Sequence, residues 1–446
     1  MKLRKEINRY LRKRYYHLIL GVILAAVLAG CNALPFEIPW LMEGDPEPTL
    51  SPGQVNEITP TPEVPMIDEQ VPAPITELTL WVPPEMDPAL EIESSRLFAE
   101  RLEAFSEAHD DLVINVRIKA ASGVGGLLDA LTATHSAALD IVPDLIVLSR
   151  PDLESAALKG IIFPLDGLTE IPDDTDWYGF ARDMALIQGS TFGLPFAGDS
   201  LALVYRPSEL QGLPNSWAGL IDDGVELVFP VESDQALFPL SLYLGEGGVI
   251  QDSQRRPVLE AEPLEAVFGL FQQGVESGAF PARLNQYQTS SQVWSAFMNE
   301  EEDLVVTWFS NYLKEGPADA AIMTLFPMND EAVSLGTGLG WAVASLDESR
   351  RPVAVELAEF LVQAEYLAEW TLAAGYIPPR PTALETWQNQ ALRITLNQAA
   401  IMTRLRPAND TITSIGPILR EGTRQVLQNQ LSPAEAAQAA VDSFED

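Results

Sequence analysis

The amino-acid sequence predicts a mixed α/β fold built on a parallel sheet. Between residues 77 and 160, segments with strand and helix patterns alternate, which is the order that places crossover helices on a parallel sheet. Of the 446 residues, 47% are hydrophobic, a share typical of a globular protein with a buried core. A chain of this length is long enough for two domains.

The first predicted strand covers residues 77–82 and ends at Pro83 and Pro84. Residues 93–108 are predicted to form an amphipathic helix, because apolar side chains recur there at helical spacing. A second strand is predicted at residues 112–118, where apolar residues alternate with others.

A second helix is predicted near residues 124–134, and a short apolar strand at residues 143–148. The next helix covers residues 152–159, and Gly160 ends it. Towards the end of the chain a longer helix is predicted over residues 353–374. Its buried face consists of Val353, Leu357, Phe360, Leu361, Ala364 and Leu367.

Two capping signals complete the predicted elements. Gly375 follows the long helix and is expected to end it, because glycine adopts the left-handed conformation that closes many helices. Ser432 and Pro433 are expected to begin a short final helix over residues 433–444.

Loops at the carboxyl ends of the predicted strands are the first candidates for a ligand site, because ligands bind there in parallel sheets. Three loops qualify: residues 83–87, 122–123 and 149–150. The candidate ligand-binding residues in and beside them are Trp81, Glu85, Ser149 and Arg150. The Trp81 ring, at a strand end, faces either a ligand or the core.

The first 31 residues predict export from the cytoplasm. Seven basic side chains precede an apolar run from Leu18 to Leu28, and small residues follow, which is the order of a secretory signal. This apolar run of about 11 residues is shorter than the roughly 20 that span a bilayer. Residues 1–30 are therefore predicted to be a signal peptide.

The tetrapeptide Leu28-Ala-Gly-Cys31 resembles the lipobox of bacterial lipoproteins, in which the cysteine is lipidated and becomes the first residue. Cys31 is the only cysteine of the chain, so packing and not a disulfide must hold the fold together. The resemblance implies a lipid anchor on the extracytoplasmic face of the membrane. An uncleaved anchor or a chance cysteine in a signal is the alternative.

Residues 31–74 are predicted to be a disordered linker behind the anchor, because prolines and acids occur there without hydrophobic periodicity. In polyproline form, at about 3.1 Å per residue, such a linker reaches at most roughly 130 Å.

The formal net charge of −37 argues against nucleic acid and anionic lipid as partners, since both carry the same sign of charge. It favours neutral or cationic ligands, although an acidic surface is also a common means of staying soluble.

Three common enzyme motifs are incomplete or absent in the sequence. Gly336-Thr-Gly-Leu-Gly340 lacks the spacing of a dinucleotide fingerprint, and Gly123-Val-Gly-Gly126 lacks the lysine of a phosphate loop. No Gly-x-Ser-x-Gly elbow is present. After the leader only His109 and His135 remain, which makes a histidine base or a zinc site improbable. We therefore expect no enzyme activity, no cofactor and no metal site.

Five segments carry a resemblance to a known family: residues 144–166, 192–205, 214–217, 305–312 and 358–380. The second reads Phe192-Gly-Leu-Pro-Phe-Ala-Gly-Asp-Ser-Leu-Ala-Leu-Val-Tyr205, and the last ends in Gly375-Tyr-Ile-Pro-Pro-Arg380. Their sequence and order resemble extracellular solute-binding proteins of the maltose-type (family 1) class, which serve ABC importers. The resemblance covers roughly residues 75–445. It departs at Arg206-Pro207, where the family has Asn-Lys.

The resemblance implies a two-lobed fold of the periplasmic-binding-protein type (type II), with the ligand in a cleft between the lobes and hinge strands joining them. Carried onto this chain, lobe 1 covers residues 75–200 plus 327–378. Lobe 2 covers residues 201–326 plus 379–446. The hinge strands fall near residues 199–204 and 322–327.

The resemblance also implies further ligand-binding residues. Asp199 occupies the place of a family acid that accepts hydrogen bonds from ligand hydroxyls, although a turn-forming aspartate is the alternative. Trp308 matches a position whose ring faces the cleft, and Phe238 matches a cleft segment of the second lobe. Trp341 follows the glycine-rich run, where the backbone is able to approach a ligand closely. Flat rings beside hydrogen-bonding groups suit a sugar.

In contrast, Trp217 and Trp370 are predicted to be packing residues. The expected function is capture of a carbohydrate or similar polar solute by a monomeric, membrane-anchored protein, which delivers the solute to an ABC permease. Two alternatives remain open: a sensor that presents its ligand to a membrane kinase, and an extracellular glycoside hydrolase.

Overall fold

A computed structural model describes residues 75–109, 112–171, 174–210, 212, 214–329 and 332–444. The predicted signal peptide, the predicted lipidation site Cys31 and the predicted linker lie outside these residues. Within the described ranges, no helix combines the length and the apolar character needed to cross a membrane.

The first third of the described chain alternates strands and helices, as the sequence predicts. Its elements are β1 (Glu77–Val82), α1 (Glu93–Ala108), β2 (Val113–Ile118), α2 (Leu127–Ala137), β3 (Leu145–Ser149), α3 (Arg150–Leu158), α4 (Gly179–Ala185), β4 (Leu186–Ile187) and β5 (Ser190–Thr191). The predicted strand 77–82 and helix 93–108 have these exact bounds. The second helix begins three residues later than predicted, because Ser122–Gly126 forms a turn closed by Gly126 N–H and Gly123 O.

The middle of the chain contains two long strands that run beside each other. Its elements are β6 (Leu194–Tyr205), α5 (Trp217–Asp222), α6 (Leu237–Gly245), α7 (Ala261–Ser277), α8 (Ser290–Met298), β7 (Leu304–Trp308), α9 (Phe309–Glu315), β8 (Ala321–Met323) and β9 (Ser334–Val343). Short 3₁₀ turns lie at Pro84–Met86, Leu139–Ile141 and Ala282–Gln286.

The last quarter is mainly helical. It consists of α10 (Arg351–Phe360), α11 (Ala364–Ala374), α12 (Pro381–Glu385), α13 (Gln390–Met402), β10 (Thr403–Leu405), α14 (Asn409–Leu427) and α15 (Pro433–Asp442). The single helix predicted over residues 353–374 is wrong. It is two helices, because Gln363 adopts an extended conformation, and the break buries both Leu361 and Val362 completely. Gly375 ends α11 with a positive φ, as predicted.

The main sheet has the strand order β2-β1-β3-β9-β6-β7, with β10 on β9 and β8 on β6. β1 pairs in parallel with β2 and β3, which confirms the predicted parallel sheet for that part. β9 pairs antiparallel with β3 and β6, and β6 pairs antiparallel with β7. The sheet is therefore mixed.

Buried apolar residues form two separate cores. The first contains α1, the inner faces of β1 and β3, and the carboxyl half of β9, including Trp341. The second contains α6, α7, α14, β7 and the carboxyl half of β6, including Leu203. Because β6 and β9 contribute to both cores, they are the crossing strands of a two-lobed α/β fold.

The predicted lobe boundaries remain a prediction, but one segment favours a revision. Residues 379–402, predicted for lobe 2, contribute Trp387, Leu396 and Ala400 to the first core. The apolar faces of α12 and α13 therefore pack on lobe 1, and the return to the second core comes only with β10 and α14.

Candidate functional site

The strands that cross between the cores carry the acid predicted to face the ligand. Asp199 lies on β6 opposite Thr337 of β9, and it is buried. Its Oδ1 accepts hydrogen bonds from the backbone N–H groups of Ser200 (2.9 Å) and Ser310 (3.0 Å), and its Oδ2 accepts one from the Ser310 hydroxyl. Asp199 therefore fastens β6 to the first turn of α9.

Burial raises the pKa of Asp199 to about 6, although its hydrogen bonds with Ser310 and Ser200 and the nearby charge of Lys314 act in the opposite direction. Three of the roughly four acceptor sites of the carboxylate are already occupied. The predicted role of Asp199 as an acceptor for a ligand hydroxyl stays a prediction, with room for one further donor.

A cation lies beside Asp199 on the same helix as Ser310. The ammonium of Lys314 is 3.9 Å from the centre of the Tyr376 ring, a distance at which a cation is attracted to an aromatic face. Desolvation lowers the pKa of Lys314, while the carboxylates of Asp199 and Glu85 oppose that shift. The exposed Glu85 carboxylate, predicted as a ligand contact, therefore interacts electrostatically with Lys314.

The segment that contains Tyr376 returns to β6 next to Asp199, because Ile377 exchanges two backbone hydrogen bonds with Gly198, of 2.8 and 2.9 Å. A Cβ atom on Gly198 would lie 2.5 Å from the Phe180 ring, so a larger residue at position 198 would clash with that ring. Burial raises the pKa of the Tyr376 hydroxyl, and the ring stacks on Trp370. We call this group the hinge cluster: Glu85, Asp199, Ser310, Lys314 and Tyr376.

Trp308 is the predicted aromatic contact that retains an exposed surface. It ends β7 opposite Leu201 and is half-buried against the second core. It directly precedes α9, two positions before Ser310 in the sequence. A partly exposed ring at the end of a strand that pairs with β6 makes Trp308 a candidate for a ligand-facing position.

The other predicted rings belong to the cores. Trp341 is 1% exposed and stacks on Phe98 and Phe196, with centroid distances of 6.1 and 5.1 Å. Trp81 is also 1% exposed. Phe238 is 3% exposed and packs 4.6 Å from Phe229. The role of these three rings in ligand binding stays a prediction, but their burial favours packing in the cores. For Trp81 and Trp341 the sequence did not separate the two roles, because inward-facing strand residues and cleft residues share the same spacing.

The predicted packing residues have the expected surroundings. Trp217 is buried, and its Nε1–H donates to the Phe326 carbonyl oxygen at 3.0 Å. Trp370 is buried between the Phe196 and Tyr376 rings.

The two strand-end residues predicted after β3 lie at a junction of the lobes. Ser149 caps α3 by accepting a hydrogen bond from Asp152 N–H. Arg150 extends towards Glu154 and the Leu186 carbonyl oxygen, at 3.4 and 3.5 Å. Ser149 is the last residue of β3 and Arg150 the first of α3, so both lie at the carboxyl end of a strand, as the sequence predicts.

Sequence reasoning missed Ser310, Lys314 and Tyr376 as members of the hinge cluster. Tyr376 and Ser310 lie in segments that carry the family resemblance, and that was the available signal. Among the described residues, no group of three or more His, Cys, Asp or Glu side chains is arranged to hold a metal ion.

Two cores joined by crossing strands, with a half-buried ring and a polar cluster on those strands, are the architecture of a two-lobed binding protein. Solved structures with this fold include the sugar-binding protein MalE from the phytopathogen Xanthomonas citri, with 17% identity and a TM-score of 0.68. That match covers 82% of this chain and 96% of MalE. At this level of identity, the similarity shows the fold alone.

Two further solved structures show the same fold with other ligands. The GacH receptor of Streptomyces glaucescens, solved unliganded and with acarbose, has 17% identity and a TM-score of 0.63 over 83% of this chain and 97% of GacH. UgpB from Mycobacterium tuberculosis, solved with glycerophosphocholine, has 16% identity and a TM-score of 0.62 over 83% of this chain and 97% of UgpB. A comparison with curated proteins gives no significant match.

The family follows from the sequence itself. The family model described as bacterial extracellular solute-binding protein matches residues 100–394, well over half of the chain. This chain therefore belongs to the bacterial extracellular solute-binding proteins.

Proposed function

We propose that this protein captures a carbohydrate or similar polar solute between its lobes and delivers it to an ABC permease. Membership of the solute-binding family over residues 100–394 carries the proposal. The half-buried Trp308 ring, two positions before Ser310 of the hinge cluster in the sequence, supports the carbohydrate class, because sugars present apolar C–H faces together with hydroxyl edges. The protein is a binding protein and not a hydrolase, so turnover of an oligosaccharide would contradict the proposal.

The mechanism is closure of the lobes around the solute. β6, β9 and β10 connect the two cores, and a ligand that contacts both lobes stabilises the closed arrangement relative to the open one. The permease would then recognise the closed, loaded, monomeric protein. Asp199 would couple ligand binding to closure of the lobes, because its carboxylate joins β6 to α9.

Replacing Trp308 by alanine is expected to weaken sugar binding by about 1–3 kcal/mol, the range seen when an aromatic stacking platform is removed. Calorimetry with maltose, maltotriose and acarbose measures the effect, and X-ray scattering with the sugar that binds shows whether the radius of gyration falls. Trp308→Phe keeps a ring and should retain most of the affinity. A folded Trp308→Ala variant that binds like the parent contradicts the role of this ring.

The proposal includes a lipid anchor at Cys31 and a linker that lets the binding domain work away from the membrane. In a bacterial host, the protein should be labelled by radioactive palmitate and partition into detergent. Cys31→Ser should abolish the label, while Ser51→Ala, within the same predicted linker, should not. Equal labelling of the Cys31→Ser variant excludes this anchor.

A further inference from the structure

A second polar group lies one strand away from the hinge cluster, where the carboxyl ends of two strands face each other. Along one edge of β9, Ser149 of β3 lies opposite Leu339, and Leu405 of β10 lies opposite Gly336. Thr337 and Gly338 separate the two strand ends. The other edge of β9 pairs with β6, so Asp199 lies directly across from Thr337.

Two helices begin where the carboxyl ends of β3 and β10 face each other, and we call this place the Arg150–Arg406 crevice. β3 leads directly into α3 at Arg150, and β10 is followed by Arg406 and then by α14, which begins at Asn409. The Asn409 side chain donates hydrogen bonds to the Pro151 carbonyl oxygen (2.9 Å) and the Ser155 hydroxyl (3.2 Å). The amino ends of a first-lobe helix and a second-lobe helix therefore meet here, and both favour negative charge.

Arg406 is a buried cation without a carboxylate partner. It is 8% exposed, and its Nη1 donates to Asn409 Oδ1 at 2.8 Å. Its Nε–H has no partner, and over the described ranges no Asp or Glu oxygen lies within 4.0 Å of its guanidinium. Arginine is rarely buried without a paired acid, because an uncompensated buried charge is strongly destabilising.

Arg150 has one carboxylate partner, Glu154, in an ion pair of 3.4 Å. Its side chain is 11% exposed, and its contacts with Glu154 (3.4 Å) and Leu186 (3.5 Å) are long beside the usual hydrogen-bond distance of about 2.9 Å. Its Nε–H is also buried without a partner. The crevice thus holds two arginines whose donors outnumber the acceptors around them.

The acids near the two arginines leave the Nε–H donor of each without an acceptor, although Glu154 accepts a hydrogen bond from Nη1 of Arg150. Glu154 accepts hydrogen bonds from the Asn409 backbone N–H at 3.2 and 3.3 Å, and this one carboxylate lies in the field of both arginines. Asp152 is bonded to the Ser149 hydroxyl. Asp183 interacts with Arg150 only through its more distant charge. Burial lowers the pKa of both guanidinium groups, and Arg150 lowers that of Arg406 further.

We propose that the Arg150–Arg406 crevice is a local cationic site in a chain whose net charge of −37 otherwise favours neutral or cationic ligands. It binds the carboxylate or phosphate group of the transported solute, so that the solute is an acidic sugar or a sugar phosphate. A pair of guanidinium groups binds the oxygens of a planar carboxylate or a tetrahedral phosphate well. The neutral part of the solute would then lie towards Asp199 and Trp308. This inference rests on the proposed solute-binding function and specifies its substrate class.

The test compares neutral and acidic forms of the same sugars by calorimetry: glucose, glucuronate and glucose 6-phosphate, then galactose and galacturonate, with maltose and inorganic phosphate as separate probes. At least one acidic form should bind the parent about tenfold or more tightly than its neutral counterpart. Arg406→Gln should weaken that binding by about 30-fold, the low end for losing a buried charged partner. Arg420→Gln, on the same helix α14 and paired with Asp234, should not.

Glu154→Gln gives a second readout that does not depend on the folding of the Arg406 variant. It removes the carboxylate that competes for both arginines, so the acidic sugar or phosphate should bind more tightly. If the arginines serve only to hold Glu154, the same change lowers the melting temperature and leaves anion binding unchanged, which overturns the inference.

The outcomes separate this inference from the proposed function. Tight binding of neutral maltose, with no preference for any acidic form, overturns the anion site and leaves the sugar-binding function intact. Binding of inorganic phosphate that is lost in Arg406→Gln, without binding of any sugar, overturns both the acidic-sugar inference and the sugar-binding function. Absence of binding by every anionic probe overturns the anion site.

Discussion

Replacing Trp341 by alanine is expected to lower the free energy of unfolding by about 3–5 kcal/mol, the usual loss when a large buried ring is removed. The ring is 1% exposed and stacks on Phe98 and Phe196 in the first core. Its backbone is fixed on both edges, by β3 at Val147 and by β6 at Leu194. The strand is thus unable to move inward to fill the cavity.

Chemical denaturation measures this loss, and calorimetry on the folded protein measures ligand affinity, which should remain close to that of the parent. Trp341→Phe is the matched control. It should cost less, because it keeps a ring and removes an indole N–H that is buried without a partner. A Trp341→Ala variant that is as stable as the parent but binds its ligand weakly would place the ring in the cleft.

Replacing Asp199 by asparagine is expected to remove a pH-dependent part of the stability, about 2 kcal/mol between pH 4 and pH 7. Burial raises the pKa of Asp199 from 3.8 to about 6 in the folded protein. A carboxyl group whose pKa is raised on folding contributes stability below its unfolded pKa, and this contribution disappears as pH rises through the folded value. The parent should therefore lose stability relative to the variant as pH increases.

Urea denaturation of the parent and of Asp199→Asn at intervals from pH 4 to pH 7 measures the difference in their free energies of unfolding. The asparagine carbonyl still accepts from Ser310 and Ser200 N–H, and its amide is able to donate to the Ser310 hydroxyl. Geometry is thus preserved. Asp222→Asn, at an exposed position of α5, should change nothing over the same range. A pH-independent difference between parent and Asp199→Asn would exclude titration of this buried acid.

Local patterns were sufficient for the first part of the fold. The alternation over β1 to α3 depends on neighbouring residues, so hydrophobic periodicity located each element there within about three residues. The pairing of β6 with β9 depends on contacts between residues near 199 and residues near 337, for which periodicity carries no signal. The break between α10 and α11 also went unpredicted, because neither glycine nor proline marks it.

The site divides in the same way. Family resemblance identified Asp199 and Trp308, and strand-end reasoning identified Arg150. Ser310 and Tyr376 meet Asp199 only because β7 and the segment after α11 return to β6. Arg406 carries no pattern of its own, since a single arginine after a short strand is ordinary. Its proposed role in anion binding rests on its burial and on Arg150 across the crevice.

The path of the chain through β3, β9 and β6 also has a consequence for the order of folding. β3 is complete at Ser149, yet its partner on β9 begins at Leu339, about 190 residues later, and contacts of such long range slow folding. Until β9 is available for pairing, the edges of β3 and β6 stay open to pairing with other chains. The sheet of the first lobe is therefore completed only after the second-core elements from α5 to β7 have been delivered, and its strand edges need protection from aggregation during that interval.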